Sequence, residues 1–251
     1  MALLFNGKFE VGDYWIDRNH WSAVSWGAPA YNACIVSPSG LEVVPALAGK
    51  TGYVGLFTVN NGDICNSAIG DERSMVANPR IDDPEGSERW YSTSVFIPDS
   101  FSLPGNTWNL VWQQKDTNDL YVNVALYISS TSGTRYWSIR YGYPAQYVNF
   151  PISMSTYGWN DWIVHVKWSS SNSGAVEFYR NGILIHSKSG IRMTSDNPIH
   201  YGSIGLYRNP QTITNHLYMT GMKIGLTRAD VEYGGPAECP ALTCNITFPG
   251  E

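Results

Sequence analysis

Residues 159–186 read WNDWIVHVKWSSSNSGAVEFYRNGILIH, and this stretch decides the fold class. In its first part, apolar positions suited to a core alternate with positions that face outward. This is the two-residue period of a β-strand with one buried face. A second strand-like run covers 175–180, and Asn181 and Gly182 separate it from a third that begins at Ile183. Because an Asn-Gly pair between two such runs favours a tight two-residue turn, the stretch predicts a β-hairpin.

The same alternation recurs along the rest of the chain, and helical periodicity is nowhere sustained. Segments rich in Gly, Ser, Asn and Pro separate the predicted strands. Short strands joined by turns, without intervening helices, predict an all-β fold: a two-sheet antiparallel β-sandwich, or jelly roll, of the concanavalin A-like kind. The length of 251 residues suits one such domain at 1–230, followed by a tail at 231–251. Further strands are predicted at 90–97, 109–115, 122–126, 135–142, 201–207 and 217–226.

The composition and net charge exclude some classes of binding partner and favour others. The net charge is −5, so the whole molecule does not attract nucleic acid or an anionic membrane. No apolar run approaches the roughly 18 residues of a membrane-spanning helix, and we expect no membrane insertion. Ten Trp and sixteen Tyr exceed the needs of one core, and amphipathic rings of this kind often line surfaces that bind sugars.

The first residues lack the basic start, apolar stretch and cleavage site of a secretory signal. Two explanations stay open: the numbering starts at an added Met, or the protein reaches its site by another route, for example as part of a virus particle. Under either explanation, we expect the protein to be extracellular or particle-associated. The oligomeric state is not predicted.

The four cysteines have no common zinc-binding spacing. They permit three full pairings, and disulfides are predicted, with inert buried thiols as the alternative. Cys239 and Cys244 flank a short loop and are suited to close a small ring, which leaves Cys34 to meet Cys65.

No cofactor is predicted, with calcium as the alternative. Four aspartates lie in or near predicted loops, where carboxylates bind calcium. Loop aspartates also cap turns, and no EF-hand spacing is present. The four are Asp82, Asp83, Asp116 and Asp119.

Five segments occur in a recognisable order along the chain. They are 5–13 (FNGKFEVGD), 86–99 (GSERWYSTSVFIPD), 108–115 (WNLVWQQK), the long hairpin region 159–182, and 201–208 (YGSIGLYR). In this order they resemble the polysaccharide lyase superfamily that contains heparin lyase I and the glucuronan lyases. The resemblance implies a jelly roll that holds an acidic polysaccharide across one concave sheet and cleaves uronic-acid polymers by β-elimination.

That reaction needs a group that neutralises the uronate carboxylate, a base that removes the C5 proton, and an acid that protonates the departing O4. The resemblance implies Gln113 on the catalytic strand and Tyr207 as the proton shuttle. Lys115 stands where heparin lyase-like enzymes place a histidine, and Ser203 where heparin lyase itself has a lysine. An ordinary lysine is a poor base near neutrality, so burial or a neighbouring positive charge must lower the pKa of Lys115 if it is the base.

Several residues are candidates for substrate binding. Arg73 resembles a family arginine, although Met75 replaces the glutamate expected two residues later. Arg140, with Tyr141 and Tyr143, is suited to pair and stack with acidic sugars, and a solubility role on an edge strand is the alternative.

Three further candidates come from other segments. Arg89 either contacts substrate or forms a salt bridge to Glu85 or Glu88. His165 is a candidate replacement base or substrate contact, with a hydrogen-bonded structural histidine as the alternative. Arg208, next to Tyr207, is also predicted to bind substrate.

Two hypotheses about function follow. The first is a lyase acting on a uronate-containing polymer. The second is a non-catalytic glycan-binding or structural module with the same fold, such as a phage or virus surface protein, which the changes at Lys115 and Ser203 favour. A glycoside hydrolase is disfavoured because the predicted strands almost lack paired carboxylates, and a Gly-x-Ser-x-Gly nucleophile motif is absent.

Overall fold

The computed structural model describes residues 3–9, 40–63, 71–78, 80–116, 121–151, 158–195 and 199–232, and these are almost entirely β-strand. The four cysteines and Asp119 lie outside the described residues, as does the tail from residue 233. No helix in the described ranges is long and apolar enough to cross a membrane. The elements are β1 (Leu3–Asn6), β2 (Leu41–Pro45), β3 (Tyr53–Val59), β4 (Glu72–Ala77), β5 (Ile81–Asp82), β6 (Glu88–Ile97), β7 (Thr107–Asp116), β8 (Val122–Thr131), β9 (Thr134–Tyr141), β10 (Gln146–Pro151), β11 (Gly158–Lys167), β12 (Gly174–Arg180), β13 (Ile183–Ile191), β14 (Ile199–Arg208), β15 (Asn215–Met219), β16 (Lys223–Gly225) and the short helix α1 (Arg228–Val231).

The described strands form two antiparallel sheets, which confirms the predicted fold class. The nine-stranded sheet has the order β13-β12-β11-β6-β15-β3-β2, and β16 joins β1 to β6 at its side. The seven-stranded sheet has the order β10-β9-β8-β7-β14-β4, with β5 paired to β14. Neighbours such as β6 and β11 are far apart in sequence, so the sheets are built by long-range pairing.

The hairpin predicted from residues 181–182 is confirmed. Asn181 and Gly182 both have positive φ, at 51° and 80°, as a tight turn between β12 and β13 requires. The predicted strand at 217–226 is two strands instead, because β15 ends at Met219 and β16 begins at Lys223.

The core lies between the sheets and is filled by the alternating apolar residues. Trp162 of β11 packs edge-on against Trp137 of β9, with ring centroids 4.9 Å apart. Tyr91 of β6 meets Trp112 of β7 in the same way at 5.7 Å. Since each contact joins one sheet to the other, these rings hold the sandwich together, and truncating one to Ala costs about 3–5 kcal/mol.

Candidate functional site

Neighbouring strands of the seven-stranded sheet place a row of side chains across one face. Ser203 of β14 is opposite Gln113 of β7, which is opposite Ala125 of β8. Ala125 is in turn opposite Arg140 of β9, and Arg140 is opposite Tyr147 of β10. Residues in register on adjacent strands project to the same side of a sheet. Their sequence neighbours Trp112, Leu126, Ile139 and Ile204 are buried in the core, so the row lies on the outer face.

Further side chains flank this row. Lys115 follows Gln113 by two residues on β7 and therefore shares its face. Tyr207 of β14 is in register with Arg73 of β4, whose guanidinium carbon lies 4.4 Å from the centre of the tyrosine ring. We call the set of Arg73, Gln113, Lys115, Tyr127, Arg140 and Tyr207 the basic face.

The backbone at Gly205 positions Tyr207. Gly205 has a φ of +139°, and a Cβ there would lie 2.2 Å from the carbonyl oxygen of Ser74. The register between β14 and β7 shifts between Ile204 and Tyr207, which marks a β-bulge. Only glycine permits this close approach. Tyr207 follows Ser203 by four residues, with Ile204 and Leu206 in the core, so it lies on the same outer face as Ser203.

The hydroxyl of Tyr207 donates a hydrogen bond to a carboxylate. Its acceptor is Oδ2 of Asp71 at 2.5 Å, and Trp108 packs edge-on against the ring at 5.1 Å. Burial raises the pKa of Tyr207, the bond to Asp71 raises it further, and Arg73 offsets the rise only in part. Tyr207 is therefore protonated at neutral pH.

Lys115 is in the opposite situation. Burial lowers its pKa to about 8, and the nearby cations Arg73 and Arg140 contribute to the same shift. Both effects disfavour the charged ammonium. A lysine in this position carries a neutral amine in a substantial fraction of molecules just above neutral pH, which is what a base requires.

Arg140 lies at the centre of an aromatic group. Its guanidinium carbon is 4.8 Å from the ring centroid of Tyr121 and 5.7 Å from that of Tyr147. Burial raises the pKa of Tyr127 to about 12, although Arg140 opposes the rise. Tyr143 joins the group through Tyr121, at a centroid distance of 4.6 Å. The Nε atom of Arg140 is buried and has no hydrogen-bond partner among the described residues.

Gln113 also has unused hydrogen-bonding capacity. Its Nε2 donates to Oγ of Ser203 at 2.7 Å, and its Oε1 is buried without a partner in the described part of the chain. Because the Ser203 hydroxyl either donates or accepts, the reversed amide makes the same contact and turns Nε2 toward a ligand instead. Arg73 likewise has a buried Nε without a described partner.

Two predicted substrate-binding arginines do not join the basic face, because each is engaged elsewhere. Arg208 is fully buried, with NH2 2.8 Å from the Glu72 carboxylate and a bond to the carbonyl oxygen of Ile213. Arg89 lies 2.7 Å from Asp83. The salt bridge that we predicted for Arg89 exists, but its partner is neither Glu85 nor Glu88.

Tyr141 and His165 are also placed away from the basic face. Tyr141 points into the core, 4% exposed, because it shares the inward parity of β9. His165 does occupy the polar side of its strand, but that side is the outer face of the nine-stranded sheet. It stacks on Trp90 at 4.2 Å and lies 3.0 Å from Glu88, so it forms the hydrogen-bonded structural arrangement.

Of the predicted residues, Gln113, Lys115, Tyr207, Arg73 and Arg140 share the basic face, with Tyr143 at its edge. Asp71 and Tyr127 were missed by the sequence reasoning. Asp71 immediately precedes β4 and has the same parity as Arg73, which is a signal that reading β4 as a strand would have given.

Two of the four aspartates considered for calcium, Asp83 and Asp116, have protein partners. Asp83 contacts Arg89 and the buried His200, whose Nδ1 is 3.2 Å away. Asp116 accepts hydrogen bonds from Thr194 and Ser195. Within the described ranges no three His, Cys, Asp or Glu side chains form a group suited to a metal ion.

The two sheets and the basic face define a class: an antiparallel β-sandwich with cations and tyrosines on the outside of one sheet. The particular family follows from a family model described as "Polysaccharide lyase", which matches residues 14–223, and the chain belongs to that family. A search of the curated proteins finds no match.

Solved structures share the fold. The endo-β-1,4-glucuronan lyase from the fungus Trichoderma reesei is 16% identical with a TM-score of 0.64, and the match covers 92% of this chain and 98% of that one. Alginate lyase Aly36B is 13% identical with a TM-score of 0.55, covering 91% and 98%. The catalytic domain of a glycoside hydrolase family 131 protein from Coprinopsis cinerea is 13% identical with a TM-score of 0.58, covering 94% and 100%.

Proposed function

We propose that this protein binds a uronic-acid-containing polysaccharide on the basic face and cleaves it by β-elimination. The observation that carries the proposal is the placement of Gln113, Lys115 and Tyr207 with two arginines on one face. Family membership supports a lyase-like protein, and the glucuronan and alginate lyases of similar fold act on uronate polymers, as their names state.

The proposed reaction assigns one residue to each chemical need. Gln113, with Arg73, binds the uronate carboxylate and so acidifies the C5 proton. The neutral amine of Lys115 removes that proton, the C4–C5 double bond forms, and the C4–O4 bond breaks. Tyr207 gives its proton to the departing O4. Arg140 and its tyrosines bind a neighbouring acidic sugar by charge and stacking.

The carboxylates of the seven-stranded sheet favour elimination over hydrolysis. Glycoside hydrolases use two carboxylates that flank the scissile bond. Among the strands of this sheet, the acidic residues are Glu72, Asp82 and Asp116. Glu72 and Asp116 are buried with protein partners, and Asp82 of β5 is opposite Ile199, at the other end of β14 from Tyr207. The described strands therefore present no pair of carboxylates on the basic face. In this respect the chain does not resemble a glycoside hydrolase, although the family 131 domain has a similar fold.

A non-catalytic glycan-binding module is the second candidate function. Ser203 favours this candidate, because it stands at the position where heparin lyase has a lysine. Its hydroxyl is hydrogen-bonded to Gln113. Such a module would bind the same polymers on the same face without forming unsaturated product.

The test is incubation of the protein with glucuronan, alginate, heparin-like and pectic polymers while the ultraviolet absorbance of the C4–C5 double bond is followed. We expect product with at least one polymer and a decrease in kcat of about 10²–10⁴-fold in Tyr207→Phe. Tyr179→Phe on the nine-stranded sheet is the matched control and should retain full activity. Binding to a polymer without any product would support the second candidate function instead.

A further inference from the structure

The carboxylate of Asp71 is an unexpected group on a face that otherwise presents cations, amides and phenols. It accepts the hydroxyl of Tyr207 at 2.5 Å, a short distance for a charge-assisted bond between oxygens. An anion so close to the reactive phenol repels a carboxylate substrate, which is unfavourable for binding unless the anion has another function. The arrangement therefore requires an explanation in terms of Tyr207.

We propose that Asp71 is a positioning residue for the elimination: its carboxylate holds the hydroxyl of Tyr207 and keeps that side chain protonated, so that Tyr207 enters each turnover as the proton donor. This inference rests on the proposed function. It also separates the two proton transfers, because a tyrosine that is held protonated leaves the C5 proton to Lys115.

The geometry accounts for both halves of the cycle. The bond to Asp71 fixes the phenol oxygen, and rotation about the C–O bond swings the proton from Asp71 to the departing O4. The phenolate that remains lies beside the Asp71 anion, which favours rapid reprotonation from solvent, while Arg73 over the ring keeps the transient negative charge tolerable. Asp71 thus resets Tyr207 and does not itself touch the sugar.

The chain offers a matched pair for comparison. Tyr179 donates to Oε2 of Glu177 at 2.8 Å on the outer face of the nine-stranded sheet, away from the basic face. Glu177→Gln removes the same kind of tyrosine–carboxylate contact without altering the candidate site. It therefore controls for any general effect of losing such a bond.

The first measurement needs no substrate. With tyrosine labelled at ring Cζ, NMR follows each phenol through its titration, and Tyr207→Phe assigns the signal of Tyr207. We expect Tyr207 to stay protonated beyond the ordinary tyrosine value of 10.0. In Asp71→Asn its titration should move down by about one pH unit or more, because the neighbouring anion is gone. In Glu177→Gln only Tyr179 should move.

The second measurement is the pH profile of kcat on a cleaved polymer. Asp71→Asn should lower kcat by up to about 10²-fold through misplacement of the phenol. It should also add a decline at high pH where Tyr207 now ionises, and KM should change less than twofold. Asp71→Glu should restore the profile in part, and Glu177→Gln should leave it unchanged. Asp71→Ser replaces Asp71→Asn if the latter does not fold.

The outcomes separate the two proposals. A Tyr207 that titrates with the ordinary tyrosines in the wild-type protein overturns the role of Asp71, as does an Asp71→Asn protein that loses activity with no new decline at high pH. Absence of turnover on every polymer, with Tyr207 titrating as expected, overturns the proposed elimination and shows that Asp71 holds Tyr207 for another purpose.

Discussion

Two tyrosine–carboxylate pairs lie on opposite outer faces of this molecule, and their surroundings differ. Tyr207 and Asp71 are beside Arg73, on a face that also carries Lys115. Tyr179 and Glu177 are beside Arg228, whose guanidinium carbon is 4.5 Å from the Tyr179 ring centroid. In both pairs burial and the carboxylate raise the pKa of the tyrosine.

What differs is the function available to each pair. Around Tyr179 the aromatic and acidic neighbours pack with each other: Trp90 stacks on His165, whose two ring nitrogens lie 3.0 Å from Glu88 and 3.4 Å from Glu177. Around Tyr207, by contrast, Arg73, Arg140 and Gln113 each retain one buried polar atom without a hydrogen-bond partner in the described part of the chain. The three unpartnered atoms on the face of Tyr207 indicate a ligand site, whereas the groups around Tyr179 lie close to one another.

The largest expected effect is that of removing the lysine from the basic face. Lys115→Met should lower kcat by about 10²–10⁴-fold, whereas Lys167→Met on the nine-stranded sheet should not. In the wild-type protein kcat/KM should rise with pH through about 8, because the neutral amine is the active form. A wild-type profile that falls through this range would contradict the role of Lys115.

The same lysine has an effect on stability with a defined sign. Its pKa is lowered from 10.5 to about 8 in the folded protein, so the unfolded chain binds more protons between these values and stability rises with pH there. Lys115→Met should raise the free energy of unfolding near pH 7 by up to roughly 3 kcal/mol. Denaturant unfolding at several pH values measures this, and Lys167→Met should show no such change.

An effect on stability of similar size is expected at Gly205, close to Tyr207 on β14. Gly205→Ala should cost about 3 kcal/mol or more, since it combines positive φ with a Cβ against the Ser74 carbonyl. Gly182→Ala at the hairpin turn is strained in φ alone, with nothing within 4 Å of its Cβ, and should cost about 1 kcal/mol. Denaturant midpoints of the two variants test the difference, and equal losses would show that the close approach is relaxed easily.

A change at the edge of the site should alter binding more than chemistry. Arg140→Gln should raise KM about tenfold, because the loss of one charged contact costs about 1.4 kcal/mol of binding free energy. It should also weaken the dependence of KM on salt concentration. Arg180→Gln, whose partner is Asn160 on the nine-stranded sheet, should leave KM unchanged. Equal effects of both substitutions would mean that the polymer does not distinguish the two faces.

The smallest effect is expected at His165. Because it stacks on Trp90 and pairs with half-exposed Glu88, His165→Gln should change kcat less than twofold and stability by less than about 1 kcal/mol. A large loss of turnover would return His165 to the list of candidate bases and contradict its separation from the basic face.

The sequence predicted the class of fold well because strand periodicity and turn chemistry are local properties. The alternation at 162–168 and the turn at Asn181 and Gly182 appear in the structure as predicted. Gln113 and Lys115 are two residues apart on one strand, so alternation along the strand places both side chains on the same face. The prediction that Tyr141 and Arg140 bind substrate together was wrong because it disregarded this alternation, which places neighbouring residues on opposite faces.

The local sequence was enough to predict which residues alternate and where the chain turns. Only the tertiary structure decided which strands are neighbours, and so that Asp71, Arg73 and Tyr207 meet while Arg208 is buried against Glu72. The physical reason is that strand pairing in a sandwich joins residues far apart in the chain. The pKa of Lys115 likewise depends on burial and on cations from other strands, which no local pattern contains.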